Sequence, residues 1–150
     1  MTFQPRPAGF PALWLALGLT VLSLGGCNNE NMRTGASGPR VFAADFAGGA
    51  KTCVVPKPTL KDGELTEVAM KVGNDGGWCG ITVAQASGKP FDAGLLTARP
   101  EHGKVFIHAV GDATRIDYTP DRGFTGSDAF TVKLVPGNPS VRGVVTVTAP

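Results

Sequence analysis

The stretch that decides the fold is DYTPDRGFTGSDAFTVKLV, residues 117–135. Tyr118 ends a β-prone run, and Pro120 with Asp121 suits the first positions of a turn. Gly123 supplies the positive φ that such a corner requires. Phe124 is then placed to fold under the corner as a core plug. Asp128 is expected to accept hydrogen bonds from turn amides, and Phe130 to begin the next strand facing inward. The stretch therefore reads as strand, corner, strand, and it speaks for architecture rather than activity.

Outward from the corner, the same grammar repeats. Residues 65–72 (LTEVAMKV) alternate, with Val68, Met70 and Val72 on one face and Glu67 and Lys71 on the other. GNDGG at 73–77 reads as a hairpin turn ahead of a strand over 78–84. Val105, Ile107 and Ala109 alternate with Lys104, Phe106 and His108, and VGDAT turns the chain toward 115–118. The last two strands, 130–135 and 141–148, are joined by PGNPS. Short β-prone runs at intervals of about ten residues are the pattern of a sandwich or barrel. The 150 residues include 21 Gly and 12 Pro with few aromatics, which fits one turn-rich all-β domain beginning near Val41.

The N-terminus follows different rules. Residues 1–6 carry one side-chain cation, Arg6, and residues 10–24 (FPALWLALGLTVLSL) are uncharged and apolar, the layout of a secretory signal peptide. A bilayer-spanning helix needs ~20 such residues, and Pro11 and Gly18 weaken this run further. Leu24-Gly25-Gly26-Cys27 then resembles the bacterial lipobox. That resemblance implies removal of a signal peptide over 1–26 and a diacylated Cys27 as the first mature residue. Small residues at 25 and 26 suit a peptidase that holds an extended backbone closely while the thiol stays free. An ordinary signal-peptide end with Cys27 as a free thiol is the alternative. Asn28 stands where many lipoproteins kept at the inner membrane carry Asp, so the resemblance implies an outer-membrane lipoprotein facing the periplasm or the surface. Three acyl chains hold such an anchor firmly, at ~0.8 kcal/mol per buried methylene. The rest of 27–40 is polar and Gly/Ser-rich and reads as a flexible tether.

With Cys27 given to lipid by that resemblance, Cys53 and Cys79 remain as a pair in a chain exported to an oxidising compartment. A disulfide between them is expected, two buried thiols in separate strands being the alternative. Their spacing excludes a CxxC redox or zinc site.

The corner stretch also resembles the signature of bacterial cadherin-like and other immunoglobulin-like envelope domains. The residues that carry it are Tyr118 and Pro120, then Gly123, Phe124, Gly126, Asp128 and Phe130. GLLTARPEHGKVFI (94–107) and VRGVVTVTAP (141–150) are similar to strands of that family more loosely. The resemblance covers about residues 94–148 and implies an immunoglobulin-like (cadherin-like) β-sandwich of about seven strands over 41–150.

Few residues suggest chemistry. Of 14 Lys+Arg, Arg6 lies in the leader, leaving 13 against 12 Asp+Glu with no basic stripe, so nucleic acid is not an expected partner. Asp112, Asp117, Asp121 and Asp128 fall near the corner. Without the family's interdomain ligand motifs they read as turn-capping or solvated carboxylates, and a weak calcium site near Asp121 and Asp128 stays open. His102 and His108, with Met70, support an alternative reading as a small metal-handling protein, although two histidines lack a third strong ligand. Ser87, Ser127 and Ser140 sit in turn contexts, and GxSxG and HExxH patterns are absent. Trp78 beside Cys79 reads as core or rim packing. The expectation is a non-catalytic binding or structural module without cofactor, held to the membrane by lipid and recognising an envelope protein or glycan. A small envelope enzyme is the weakest reading, and oligomeric state is not legible.

Overall fold

The computed structural model describes residues 41–150; the expected signal peptide (1–26), the tether (27–40) and Cys27 lie outside the described residues. Those described are all-β apart from one 3₁₀ turn, Ala43–Phe46. The strands are β1 (Cys53–Val54), β2 (Leu65–Gly73), β3 (Cys79–Val83), β4 (Ala93–Ala98), β5 (Gly103–Val110), β6 (Ala113–Pro120), β7 (Gly126–Val135) and β8 (Ser140–Thr148). They form two sheets, one in the order β1-β2-β8-β7-β4 and the other β3-β6-β5. Every pairing within the sheets is antiparallel except β2 with β8. Leaving aside the two-residue β1, this is a seven-strand sandwich in immunoglobulin-like order.

The alternation in sequence becomes the core. Met70 and Val72 of β2 stand opposite Val145 and Val147 of β8 across the parallel ladder, Val68 and Val141 extend the same buried face, and Phe130, Val132 and Leu134 of β7 join them. Ile81, Ile116 and Tyr118 close the cluster from the other sheet. Each such side chain contributes about 1.5–3 kcal/mol by leaving water. At the centre the Tyr118 and Phe130 rings stack with centroids 5.9 Å apart. Both rings lie over glycines. A Cβ on Gly143 would stand 2.5 Å from Phe130 Cζ, and one on Gly103 would stand 2.5 Å from Tyr118 Cε2. Those two positions exclude any larger residue because an aromatic ring occupies the space.

The corner is built as its chemistry implies, with φ +79° at Gly123 and Phe124 packed against the core cluster. The β5–β6 hairpin turns on Gly111 and Asp112, and β7–β8 turns through PGNPS with Gly137 and Asn138 at positive φ. One expectation fails. GNDGG does not close a hairpin, because β2 pairs with β8 and β1 while β3 pairs with β6 in the opposite sheet. The turn is a crossing between sheets, held by long-range bonds. Asn74 Nδ2 donates to the carbonyls of Asp121 (2.8 Å) and Phe124 (2.9 Å), tying this turn to the corner, and Asp75 accepts from the amides of Lys51 and Gly77.

Cys53 and Cys79 form the disulfide, joining β1 of one sheet to β3 of the other with Cα atoms 5.3 Å apart.

Candidate binding site

The sequence of β6, ATRIDYTP, reads as inward Ile116 and Tyr118 alternating with outward Arg115 and Asp117. The outward pair is nevertheless buried, at 7% and 5% exposure. An outer sheet face normally meets water; here residues 45–50 and Trp78 cover it. Trp78 Nε1 donates to the Ala47 carbonyl at 3.0 Å, and the Arg115 guanidinium carbon lies 3.8 Å from the centre of the Trp78 ring. Arg115 Nη1 donates to the Asp45 carbonyl, while Nε and Nη2 grip the two oxygens of Asp117 at 2.8 and 3.0 Å. His108 Nε2 donates to Asp117 Oδ2 at 2.9 Å from β5. Gly80, opposite Asp117 on β3, carries no side chain because a Cβ would collide with Asp117 Oδ1. Both carboxylate oxygens and all three guanidinium nitrogens are thus engaged, in the planar fork that arginine forms with a carboxylate. The cluster is a clamp that fastens the incoming chain to the sheet.

Beside the clamp runs a groove of about 1020 Å³. Phe46, Leu60, Val83 and Val110 give it apolar walls, Lys57 and Asp112 stand at its margin, and Trp78, Gly80 and Thr82 of the β3 region form one side. Its size and mainly apolar lining are those of a ligand cleft. Sequence reading missed it because residues 41–60 show neither strand nor helix periodicity. Trp78 itself is half-buried against Gly48 and Gly49, at the rim rather than in the core.

The residues singled out in sequence fall in several places. Asp128 accepts from the amides of Glu101 (2.9 Å), His102 (3.0 Å) and Ala129 (2.8 Å), and from the Tyr118 hydroxyl at 2.9 Å. It therefore ties β7 to the turn before β5, rather than capping its own corner. Burial alone would raise its pKa; the Glu101 amide, the Tyr118 hydroxyl and the other amides outweigh this and hold the carboxyl below the usual range. Tyr118 is pushed above the ordinary phenol range, by burial first and then by its bond to the Asp128 carboxylate. His102 stacks on Phe124 with ring centroids 4.1 Å apart. Six residue steps of nearly extended chain, about 20 Å, separate His102 from His108. Met70 is inside the core. The structure does not bring these three together, and among the described residues no group of three His, Cys, Asp or Glu is placed to hold a metal. The four aspartates take separate parts: Asp117 enters the clamp and Asp112 lines the groove, while at the corner Asp128 accepts from Tyr118 and Asp121 donates its amide to the His102 carbonyl at 2.8 Å.

No protein-family model matches the chain, and no curated protein sequence is similar to it.

Proposed function

We propose that the chain is an envelope-anchored lipoprotein, attached through Cys27, whose immunoglobulin-like domain is a non-catalytic module that binds a partner in the groove beside β3. The observation that carries the binding role is the groove itself, floored by a sheet and walled by Phe46 and Leu60. The one buried ionic cluster beside it, among the described residues, has both oxygens of its carboxylate taken up by Arg115 and His108, so it offers no free base to a reacting group. The anchoring role rests on the LGGC stretch and its leader, and the disulfide fits export to an oxidising compartment.

Two measurements test the reading. Intact mass, without reductant, of protein extracted from membranes of the native host should equal residues 27–150 with three acyl chains and the disulfide. A mass without lipid removes the anchor. A photo-crosslinker at Leu60 should capture one envelope component that a crosslinker at exposed Arg122, on the corner, does not. Equal capture at both positions removes the groove as the site.

A further inference from the structure

β3 is an edge strand, and its free edge is the side that faces the groove. Trp78 turns both backbone groups to that side: its N–H donates to the Gly48 carbonyl (3.1 Å) and its carbonyl accepts from the Ala50 amide (2.8 Å), a single parallel bridge centred on Gly49. Along a strand, alternate residues direct their N–H and C=O the same way. Gly80 and Thr82 therefore point theirs to the free edge too. Among the described residues the chain gives them no partner, because after Ala50 it turns away; Lys51 bonds Asp75, and Cys53 enters β1 against β2 in the other sheet. Strand addition along β3 is begun by the chain's own residues 48–50 and stops after one bridge.

Exposed edges are usually blunted by charge, proline or a bulge. The opposite edge of this sheet, β5, carries Lys104 and His108. β3, CGITV, carries no charge, proline or bulge, and its last edge-facing residues are a glycine and a threonine. Gly80, bare because the Arg115–Asp117 pair fills the space behind it, also leaves the edge open to close backbone approach.

We propose that the occupant of the groove is an extended polypeptide segment of a partner protein that adds to β3 as a strand. It continues the backbone interface that Gly48–Ala50 begins, pairs with the N–H and C=O groups of Gly80 and Thr82, and places alternate apolar side chains against Leu60, Val83 and Val110. This deepens the groove-binding reading and rests on it. Main-chain pairing supplies affinity with little sequence demand, and the apolar wall supplies selection.

The test is amide hydrogen exchange by NMR on the processed full-length protein. The probe is a soluble ten-residue peptide of alternating valine and threonine with lysine at each end. Free, the protein should exchange the Gly80 and Thr82 amides fast and the Ile81 and Val83 amides slowly, since the latter pair with β6. With peptide at ten times its Kd, Gly80 and Thr82 should slow by about tenfold. Thr82→Pro, which removes an edge-facing N–H, should abolish the slowing while the disulfide and Ile81 protection persist. Leu60→Asp, which leaves the backbone untouched, should weaken it. Shifts at Leu60 and Val110 without slowing at Gly80 and Thr82 would overturn strand addition while leaving the groove as a binding site. Gly80 and Thr82 protected already in the free protein, with a concentration-dependent mass doubling, would overturn it in favour of a second copy. No response in the groove, combined with equal crosslinking at Leu60 and Arg122, would remove both readings.

Discussion

Replacing Asp128 with alanine should destabilise the domain by about 3 kcal/mol, and the structure shows how that figure divides. The carboxylate accepts four hydrogen bonds, and bonds to a charged group contribute about 1.5–3 kcal/mol each when their donors cannot reach water. The Glu101 and His102 amides belong to exposed residues and regain water, so they account for about 0.5 kcal/mol each. The Tyr118 hydroxyl cannot, because Tyr118 is fully buried; without Asp128 it keeps only a 3.2 Å bond to the His102 carbonyl. Exchanging the bond to a carboxylate for that longer one to a carbonyl costs about 1.5–2 kcal/mol. Tyr118→Phe alone removes the same bond from the other side at about 1.5 kcal/mol, and leaves the carboxylate its three amides. The double variant should then lie near the cost of Asp128→Ala, giving a coupling of about 1.5 kcal/mol. Urea unfolding at neutral pH under non-reducing conditions, followed by circular dichroism, measures all three. Additivity within about 0.4 kcal/mol would refute the reasoning, since it would mean that the hydroxyl and the carboxylate do not act on each other.

Four further outcomes follow, two from the ionisation of these same groups and two from the disulfide and the clamp. Asp128 and Asp75 have carboxyls held below the ordinary carboxylate range, so as pH falls the unfolded chain takes up protons first; their stabilisation is present above about pH 4 and is lost as pH falls through the depressed folded values. Acid unfolding of Asp128→Asn should show a shallower pH slope than the parent, and equal slopes would dismiss Asp128 as a contributor. At the other end, Tyr118 is raised above the ordinary phenol value of about 10, so its stabilisation is complete below about pH 10 and fades as pH rises through the folded value; Tyr118→Phe should flatten the alkaline limb of a stability profile. Opening the disulfide frees a loop with a sequence separation of 26, which in the chain-entropy model costs about 3.5 kcal/mol. A Cys53→Ser, Cys79→Ser chain should unfold at correspondingly lower urea concentration, with a shift below about 1 kcal/mol counting against an inter-sheet staple. In the clamp, Asp117→Ala strands a buried guanidinium and should cost about 3 kcal/mol, whereas Arg115→Met with Asp117→Leu should stay within about 1 kcal/mol of the parent.

How much of this was legible depends on whether the determinants are local. The corner could be read because Pro120, Asp121 and Gly123 act through their own backbone angles, and the core could be read because alternation at Val68, Met70 and Val72 survives in any two-sheet fold. GNDGG was misread because a hairpin and a crossing between sheets use the same turn residues. The choice here is made by Asn74 reaching Phe124, fifty residues away. Asp117 read as a turn-capping or solvated carboxylate, since nothing in AADFAGGAKT announces a segment that would cover it and Arg115. Asp128 accepts from turn amides as its chemistry implies, but which turn was not legible: its donors at Glu101 and His102 lie 27 and 26 residues away.

The clamp and the open edge have one cause. To cover Arg115 the chain must pass over β3, and it does so through Gly48 and Gly49, which lie against the Trp78 indole. Asp75 then takes the Lys51 amide, and Gly77 passes the Ala50 backbone where no Cβ would fit. Two residues later Cys53 is bonded to Cys79, which draws the chain to the opposite sheet. A longer pairing with β3 would need residues 51–54 at Gly80 and Thr82, and those residues are already held by Asp75, β2 and the disulfide. Under the proposed anchoring, any pull from the membrane arrives at Val41 and meets the Arg115–Asp45 bond, the Trp78–Ala47 bond and the Gly49 bridge before it reaches Cys53. A strand seated on Gly80 and Thr82 would lie directly beside those contacts. Partner binding should therefore raise the force needed to peel residues 43–50 from the sheet, and a single-molecule pull from the N-terminus that shows no such rise would separate the groove from the anchor.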